Sequence, residues 1–301
     1  LLILPKELER SEKSLHATLD VLPNDDPDTV VRKMISTYLI GYNLIHIRAK
    51  EQRLTSNQRN AIKDFARRKL VGTEIVEDSP TLLTLQVLLS YPELSVENAL
   101  RRMCIIAASM HRDAITSLKE LNGNLAQDIV TTDDEVDRFS FYIIRQLKAA
   151  VQNEKILEEI GLSTARDCLG YRLITKTVER VADHAVKIAQ NVLTLTNPLA
   201  PETFQEIYGM STSADSVFND AIKSLFKRDF HLADEVVEKA KKITLLEKEI
   251  IKAISKETHA EEASSLRLII ESIRRIAEYA SDIAEIVLNL TIEDIIGSQL
   301  G

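Results

Sequence analysis

The chain has 301 residues, 45% of them apolar, which is enough for about two domains with buried cores. Its formal net charge of −8 provides no general attraction to nucleic acid or anionic membrane, so DNA binding would need a separate basic module. No apolar stretch approaches the roughly 18 residues that span a bilayer. Cys104 and Cys168 lie in helical patterns without metal-type spacing, which predicts reduced, buried thiols in a cytoplasmic protein.

Residues 11–90 are predicted to form a small α+β domain. Polar and apolar residues alternate over 14–21, the period of two that is typical of a half-buried strand. Thr55 and Gln58 have the spacing of a capping box at the start of a helix. The other predicted elements are a helix capped by Asp26 with Pro27 at its first position, a strand over 43–49, and two strands that turn at Ser79 and Pro80.

After residue 90 the pattern is helical. Apolar residues recur at spacings of three and four, and glycines are rare, so the fold class is mainly α. The sequence predicts two three-helix units, over 91–197 and 202–292, separated by the proline-containing linker TNPLAP. The predicted helices cover 95–121, 125–152, 163–195, 203–227, 231–257 and 260–291.

The two units are predicted to be tandem copies. Residues 113–130 align without a gap on residues 220–237, an offset of 107. For the third helix the offset is 99, because the first copy is eight residues longer before that helix. The identical pairs include Asp113/Asp220, Ala114/Ala221, Ile115/Ile222, Ser117/Ser224, Leu118/Leu225, Leu125/Leu232 and Ala126/Ala233.

Acidic pairs stand at equivalent positions of the two third helices. Glu179 and Asp183 in the first copy correspond to Glu278 and Asp282 in the second. Residues four apart on a helix are neighbours, about 5–6 Å from each other, so two carboxylates there repel unless a cation lies between them. Each pair is therefore a candidate cation site.

A second helix can complete the first-copy site. Asp133 and Asp137 have the same four-residue spacing and can face Glu179 and Asp183 across the bundle, which gives four carboxylates for a hard or borderline cation. The alternative is an exposed ladder of charges. In that ladder Lys176 and Lys187 flank the first-copy acids, and Arg274 and Arg275 flank those of the second copy.

The tandem three-helix units, the DxxxD pair, and the ExxxD pairs in ERVADHAVKIA and EYASDIAEIVL resemble the PhoU family of phosphate-uptake regulators over about residues 91–292. The resemblance implies two three-helix bundles whose acidic motifs bind metal ions, with iron, zinc or manganese as candidates. It implies a regulatory role without catalysis, in phosphate homeostasis. It also implies a homodimer that contacts a phosphate transporter or signalling protein at the cytoplasmic face of the membrane.

The second copy departs from the family pattern. Ala240 and Thr244 stand where the first copy has its DxxxD pair, so only Glu278 and Asp282 remain and a weaker metal site is expected there.

The first ten residues carry a second resemblance. Residues 1–10, which include LLILPKELE, are similar to the end of an AbrB-type DNA-binding domain, which precedes a PhoU-like region in many archaeal proteins. This similarity implies the remnant of a truncated domain and DNA contact only through its missing part. The remaining chain would then be the sensing part of a transcriptional regulator.

Two other function classes compete with this interpretation. Helical di-iron enzymes use Glu-x-x-His motifs, and no Glu here precedes a His by three residues. No phosphate-binding loop or nucleophile and base pair stands out either, so we expect no catalysis. His184 is expected to be a packing or surface residue. A metal-free helical scaffold for protein–protein interaction remains the alternative.

Overall fold

The computed structural model describes residues 15–88, 94–257 and 260–298, without the side chains of 253–261. The chain divides into two compact units between Glu93 and Leu94. The AbrB-like stretch over residues 1–10 lies outside the described residues.

The first unit is a four-stranded mixed sheet with two helices. The elements are β1 (His16–Val21), α1 (Pro27–Ile40), β2 (Leu44–Ala49), α2 (Ser56–Lys69), β3 (Thr73–Asp78) and β4 (Leu82–Val87). The strand order is β1-β2-β4-β3, with β1 and β2 parallel and the other two neighbouring pairs antiparallel. The α+β prediction is confirmed.

Both predicted helix starts in this unit are confirmed. Asp26 caps α1 by accepting from the Thr29 N–H, and Thr55 forms the capping box of α2 with Gln58. Gln58 is buried, and its amide also donates to the carbonyl oxygens of Leu22 at 2.9 Å and Asp25 at 2.8 Å. The Gln58 side chain thus completes the N-terminal cap of α2 and also holds the loop between β1 and α1.

The second unit is all helical. Its elements are α3 (Val96–Glu120), α4 (Gly123–Ala150), α5 (Glu154–Glu159), α6 (Ala165–Val192), α7 (Pro201–Lys227), α8 (Phe230–Glu257) and α9 (Ala260–Ser298). The six predicted long helices are confirmed, whereas the short α5 was not predicted. It lies in the stretch by which the first copy is longer, begins where Asn153 accepts from the Lys155 N–H, and buries Ile156 and Leu157.

The long helices form two bundles. In the first repeat α3, α4 and α6 pack against one another, in the second α7, α8 and α9 do so, and the repeats meet where α6 packs on α9 and α3 on α7. Cys104 and Cys168 are buried free thiols, as predicted. None of the helices in the described ranges is long and apolar enough to cross a membrane.

The duplication extends to local backbone detail. Leu121 and Arg228, one offset of 107 apart, end α3 and α7 in the left-handed conformation with φ of 50° and 52°. The buried hydroxyls of Ser117 and Ser224 each donate to the carbonyl oxygen three residues earlier, at 2.7 Å in both cases. Equivalent sequence positions therefore perform the same structural task in both repeats.

Asn122 and Asp229 are equivalent positions in the two repeats, and each caps the following helix. The two caps therefore provide a matched test of the duplication. The Oδ1 atoms of Asn122 and Asp229 accept from the N–H groups of Leu125 and Leu232 at 3.1 and 3.0 Å. We expect Asn122→Ala to lower the free energy of unfolding by about 1 kcal/mol, as for other lost caps. Asp229→Ala should cost about 0.3–1 kcal/mol more, because its charge also interacts with the helix dipole.

Urea denaturation measures both variants, and Asn124→Ala, an exposed position that makes no cap, is the control. Equal stability of Asp229→Ala and the control would contradict the structural equivalence of the two caps.

Candidate cation site

The acids predicted for the first repeat lie on two helices that pack together. Asp133 and Asp137 are on α4, Glu179 and Asp183 are on α6, and all four are half-buried. The four-residue spacing puts each pair on one face of its helix. The structure thus brings both pairs to neighbouring helices, as predicted.

Glu179 connects the two helices. Its Oε2 accepts a hydrogen bond of 2.9 Å from the hydroxyl of Ser140 on α4. Its Oε1 forms an ion pair with Lys176, one turn earlier on α6. The Lys176 contact agrees with the predicted charge ladder, whereas Ser140 was not identified from the sequence.

The surroundings of Asp183 disfavour the charged form of its carboxyl. Burial raises the pKa of its carboxyl, the neighbouring Glu179 charge raises it further, and Asp137 of α4 acts in the same direction. Lys176 and Lys187 oppose this increase without cancelling it. Burial is the largest cause of the raised pKa, and the like charges of Glu179 and Asp137 add repulsion between α4 and α6.

An added cation would relieve this repulsion, and carboxylate oxygens are the donors that hard and borderline cations accept. The first repeat therefore has donors of a suitable type for a metal ion. Within the described residues, no group of three or more His, Cys, Asp and Glu side chains is already arranged to hold a metal ion.

The second repeat neutralises its acids in another way. The Arg274 side chain, only 15% exposed, lies between Glu247 of α8 and Glu278 of α9. Its Nε atom is 2.9 Å from Glu247 Oε2, and its Nη1 donates to Glu278 Oε1. Arg275 donates to the other Glu278 oxygen at 3.1 Å. Both Glu278 oxygens are therefore paired with arginines, which favours the predicted charge ladder over a metal ion at this residue.

The repeat offsets explain the difference. At offset 107 Glu247 corresponds to Ser140, and at offset 99 Arg274 corresponds to Thr175. The second repeat therefore has an arginine and a glutamate where the first has two hydroxyl side chains. The contact of Arg274 with Glu278 agrees with the predicted charge ladder, whereas the role of Glu247 was not predicted.

Asp282 lies where the two repeats meet. Burial raises the pKa of its carboxyl, Glu285 acts in the same direction, and Arg180 of α6 opposes both. Because Arg180 belongs to the first repeat, Asp282 is influenced by a cation across the contact between α6 and α9. It lacks acidic partners on α8, where Ala240 and Thr244 replace the DxxxD pair.

His184 is a packing residue, in agreement with the first of the two roles expected for it. It is buried, and its ring centroid is 5.6 Å from that of Tyr279 on α9. Burial and the charges of Lys187, Arg275 and Arg274 lower its pKa to about 4. The imidazole is therefore neutral at pH 7.

The fold and this site define a class of protein made of duplicated three-helix bundles with acidic helix pairs. A family model described as "PhoU domain" matches residues 100–192 and 207–287, one match in each repeat. The chain belongs to the PhoU family.

Similar proteins carry the same family name. PhoU homolog 2 of Thermotoga maritima, a phosphate-specific transport system accessory protein, is 26% identical over 190 residues, 59% of this chain and 76% of that protein. Homolog 1 of the same organism is 26% identical over 196 residues, 62% of this chain and 82% of that protein.

Solved structures support the fold. The crystal structure of the phosphate transport system regulatory protein PhoU from Streptococcus pneumoniae gives a TM-score of 0.57 at 19% identity, covering 65% of this chain and 92% of that one. PhoU from Pseudomonas aeruginosa gives 0.59 at 19% identity, covering 65% and 94%.

The buried position of Arg274 leads to a stability prediction. Arg274→Gln leaves Glu247 and Glu278 facing each other without their shared cation, so we expect a loss of roughly 3 kcal/mol in unfolding free energy. Arg275→Gln is the matched control, since Arg275 is 44% exposed and an ion pair at the surface contributes under about 1 kcal/mol. Urea denaturation compares the two, and equal losses would contradict the internal role of Arg274.

Proposed function

We propose that this protein is a regulator of phosphate transport that binds a metal ion through the acids of its first repeat. The observation that carries the proposal is the PhoU domain match in both repeats, together with the carboxylates that α4 and α6 bring to one helix contact. The relatives are phosphate-specific transport system accessory proteins by name, which supports a regulatory role without catalysis.

Asp133, Asp137, Glu179 and Asp183 would hold the metal ion. A bound cation supplies the positive charge that offsets the repulsion among these carboxylates. It would also link α4 to α6, so that the packing of this helix pair depends on metal. Iron, zinc and manganese are the candidates, since each accepts carboxylate oxygens.

The second repeat has a different role in this proposal. Arg274 is a fixed cation between Glu247 and Glu278, so this bundle keeps its packing without metal. Metal would then change the stability of one bundle only, and a regulatory signal can arise from that difference.

Metal content tests this assignment. Glu179→Gln with Asp183→Asn keeps the size of both side chains and removes two ligand charges, so most bound metal should be lost. Glu278→Gln with Asp282→Asn is the matched control and should retain it. Elemental analysis of chelator-free protein, reconstituted separately with iron, zinc or manganese, measures the metal per chain.

Unchanged metal content in the first double variant would contradict the assignment. Wild-type protein without metal after reconstitution would favour the alternative, a metal-free helical scaffold for protein–protein interaction.

The remaining parts of the proposal concern partners. We infer a cytoplasmic homodimer that contacts a phosphate transporter or signalling protein at the membrane face. DNA contact would come only through an AbrB-like domain, whose end residues 1–10 resemble, with this chain as the sensing part of a transcriptional regulator. Light scattering of the full chain at micromolar concentration tests the dimer, and a monomeric mass would contradict it.

Phosphate uptake in cells tests the regulatory role. In the source organism, deletion of this chain should weaken the dependence of labelled-phosphate uptake on external phosphate concentration, because the transporter loses its regulator. The wild-type chain and Arg275→Gln should restore the dependence, and the Glu179→Gln/Asp183→Asn variant should not. Equal dependence with and without the chain would contradict the proposed function.

A further inference from the structure

A cavity of about 320 Å³ lies between α3 and α4 of the first repeat. Its volume is at the lower end of the range of small-molecule sites. The lining combines five apolar side chains, two hydroxyls and three carboxylates. Asp133 and Asp137 do not belong to this lining, so the cavity is distinct from the candidate cation site between α4 and α6.

The charge of the lining is negative. Its carboxylates are Asp113 of α3 and Asp128 and Glu135 of α4, and no lysine, arginine or histidine is among the described residues that line the cavity. None of the three acids forms an ion pair with another described residue. Asp113 accepts a hydrogen bond of 3.3 Å from the hydroxyl of Ser109, which adds no charge. The cavity therefore favours a cationic ligand.

The second repeat shows which kind of cation these positions bind. The ammonium nitrogen of Lys239 lies between two acids of α7 and α8, 3.1 Å from Asp220 Oδ2 and 3.4 Å from Glu235 Oε2. An ammonium on an alkyl chain thus occupies this place in the second repeat. At offset 107 the equivalent pairs are Asp113/Asp220, Asp128/Glu235 and Thr132/Lys239.

The first repeat keeps the acids of this place and lacks the lysines. Thr132 stands where the second repeat has Lys239, and Glu135 stands where it has Lys242. The four equivalent positions carry two acids and two lysines in the second repeat, and three acids without a base in the first. The place of the ammonium is therefore open to a ligand in the first repeat.

The walls of the cavity favour a ligand with a hydrocarbon chain. Ile105 and Ile106 correspond to Thr212 and Ser213 of the second repeat, so the first repeat has apolar side chains where the second has hydroxyls. Ile105 is 62% exposed. A methylene chain that ends in an ammonium can cover such apolar surface while its charge pairs with a carboxylate. A hydrated metal ion would gain nothing from the isoleucines.

The three acids are spread along the cavity. Asp128 and Glu135 are seven residues apart on α4, about 10 Å along the helix axis. Only two residues separate α3 from α4, so the helices run antiparallel, with Asp113 at the Asp128 end and Ile106 at the Glu135 end. One ammonium cannot pair with the acids at both ends, whereas a chain with several ammonium groups can.

We propose that the cavity between α3 and α4 binds a linear aliphatic polyamine. One ammonium lies between Asp113 and Asp128, at the place of the Lys239 ammonium in the second repeat. A second ammonium pairs with Glu135, and the methylenes between them lie on the apolar wall that includes Ile106. The bound polyamine joins α3 to α4 and replaces the lysine contact that the second repeat makes within its own chain.

Equilibrium dialysis of labelled spermidine against the full chain, in buffer freed of metal ions, tests the proposal. One spermidine should bind saturably per chain. Putrescine should bind at least tenfold more weakly, because it is too short to reach both ends of the cavity. Nα-acetyl-lysinamide, which represents a lysine side chain of a partner protein, should also be at least tenfold weaker because it has one ammonium.

Variants test the position of the ligand. Thr132→Lys copies the second repeat and places an ammonium between Asp113 and Asp128, so spermidine binding should weaken at least tenfold. Gln152→Lys is the matched control, because it adds the same charge at an exposed position outside the cavity and should bind as wild type does. Glu135→Gln removes one charge at the other end and should weaken spermidine binding at least threefold.

Three results would overturn the proposal. The first is no saturable spermidine binding at millimolar concentration. The second is equal weakening by Thr132→Lys and Gln152→Lys, which would indicate attraction to the net charge of −8 only. The third is equal affinity for spermidine and Nα-acetyl-lysinamide, which would indicate a site for a partner's lysine.

The outcome is independent of the metal assignment. Circular dichroism and urea denaturation confirm that each variant is folded. Because the dialysis buffer contains no metal ions, failure to bind spermidine leaves the metal assignment standing. Unchanged metal content in the carboxylate variants likewise leaves the polyamine proposal standing.

Discussion

Mutual repulsion of carboxylates at the contact between packed helices is the constraint on which this structure depends. Two acids four residues apart already repel on one helix, and half-burial against a second helix makes the repulsion stronger because less water screens it. Burial raises the pKa of the Asp183 carboxyl, and repulsion from Glu179 and Asp137 raises it further. The acids of the two repeats are paired with different cations, Lys176 in the first repeat and Arg274 in the second.

The second repeat supplies its cation from its own sequence. Arg274 is nearly buried and connects α8 to α9 through Glu247 and Glu278. The guanidinium of Arg274 is always charged, so the positive charge at this place in the second bundle does not depend on a bound ion. The first repeat has Thr175 there, and the hydroxyl of Ser140 bonds to Glu179 without adding charge. The cation that pairs with Glu179 is Lys176, which lies on the same helix and is 41% exposed, so this ion pair does not connect α6 to α4.

The helices and the duplication could be predicted from the sequence because both depend on local patterns. Helix periodicity, the capping box of Thr55 and Gln58, and the gap-free alignment of the repeats each follow from short-range chemistry, and the structure has all of them. The short helix α5 was missed because six residues carry too little periodicity to indicate a helix.

The contacts between side chains of different helices could be identified only from the structure. The pairing of Arg274 with Glu247 joins two helices, and charged residues spaced along a sequence do not show which of them meet.

In the proposed function only the first repeat takes a cation from solution. Anomalous diffraction from crystals of the wild-type chain soaked in a zinc or manganese salt locates bound metal directly. We expect an anomalous peak between α4 and α6, next to Asp137, Glu179 and Asp183, and no peak at Glu278. A peak next to Glu278 and Asp282 with none between α4 and α6 would contradict it.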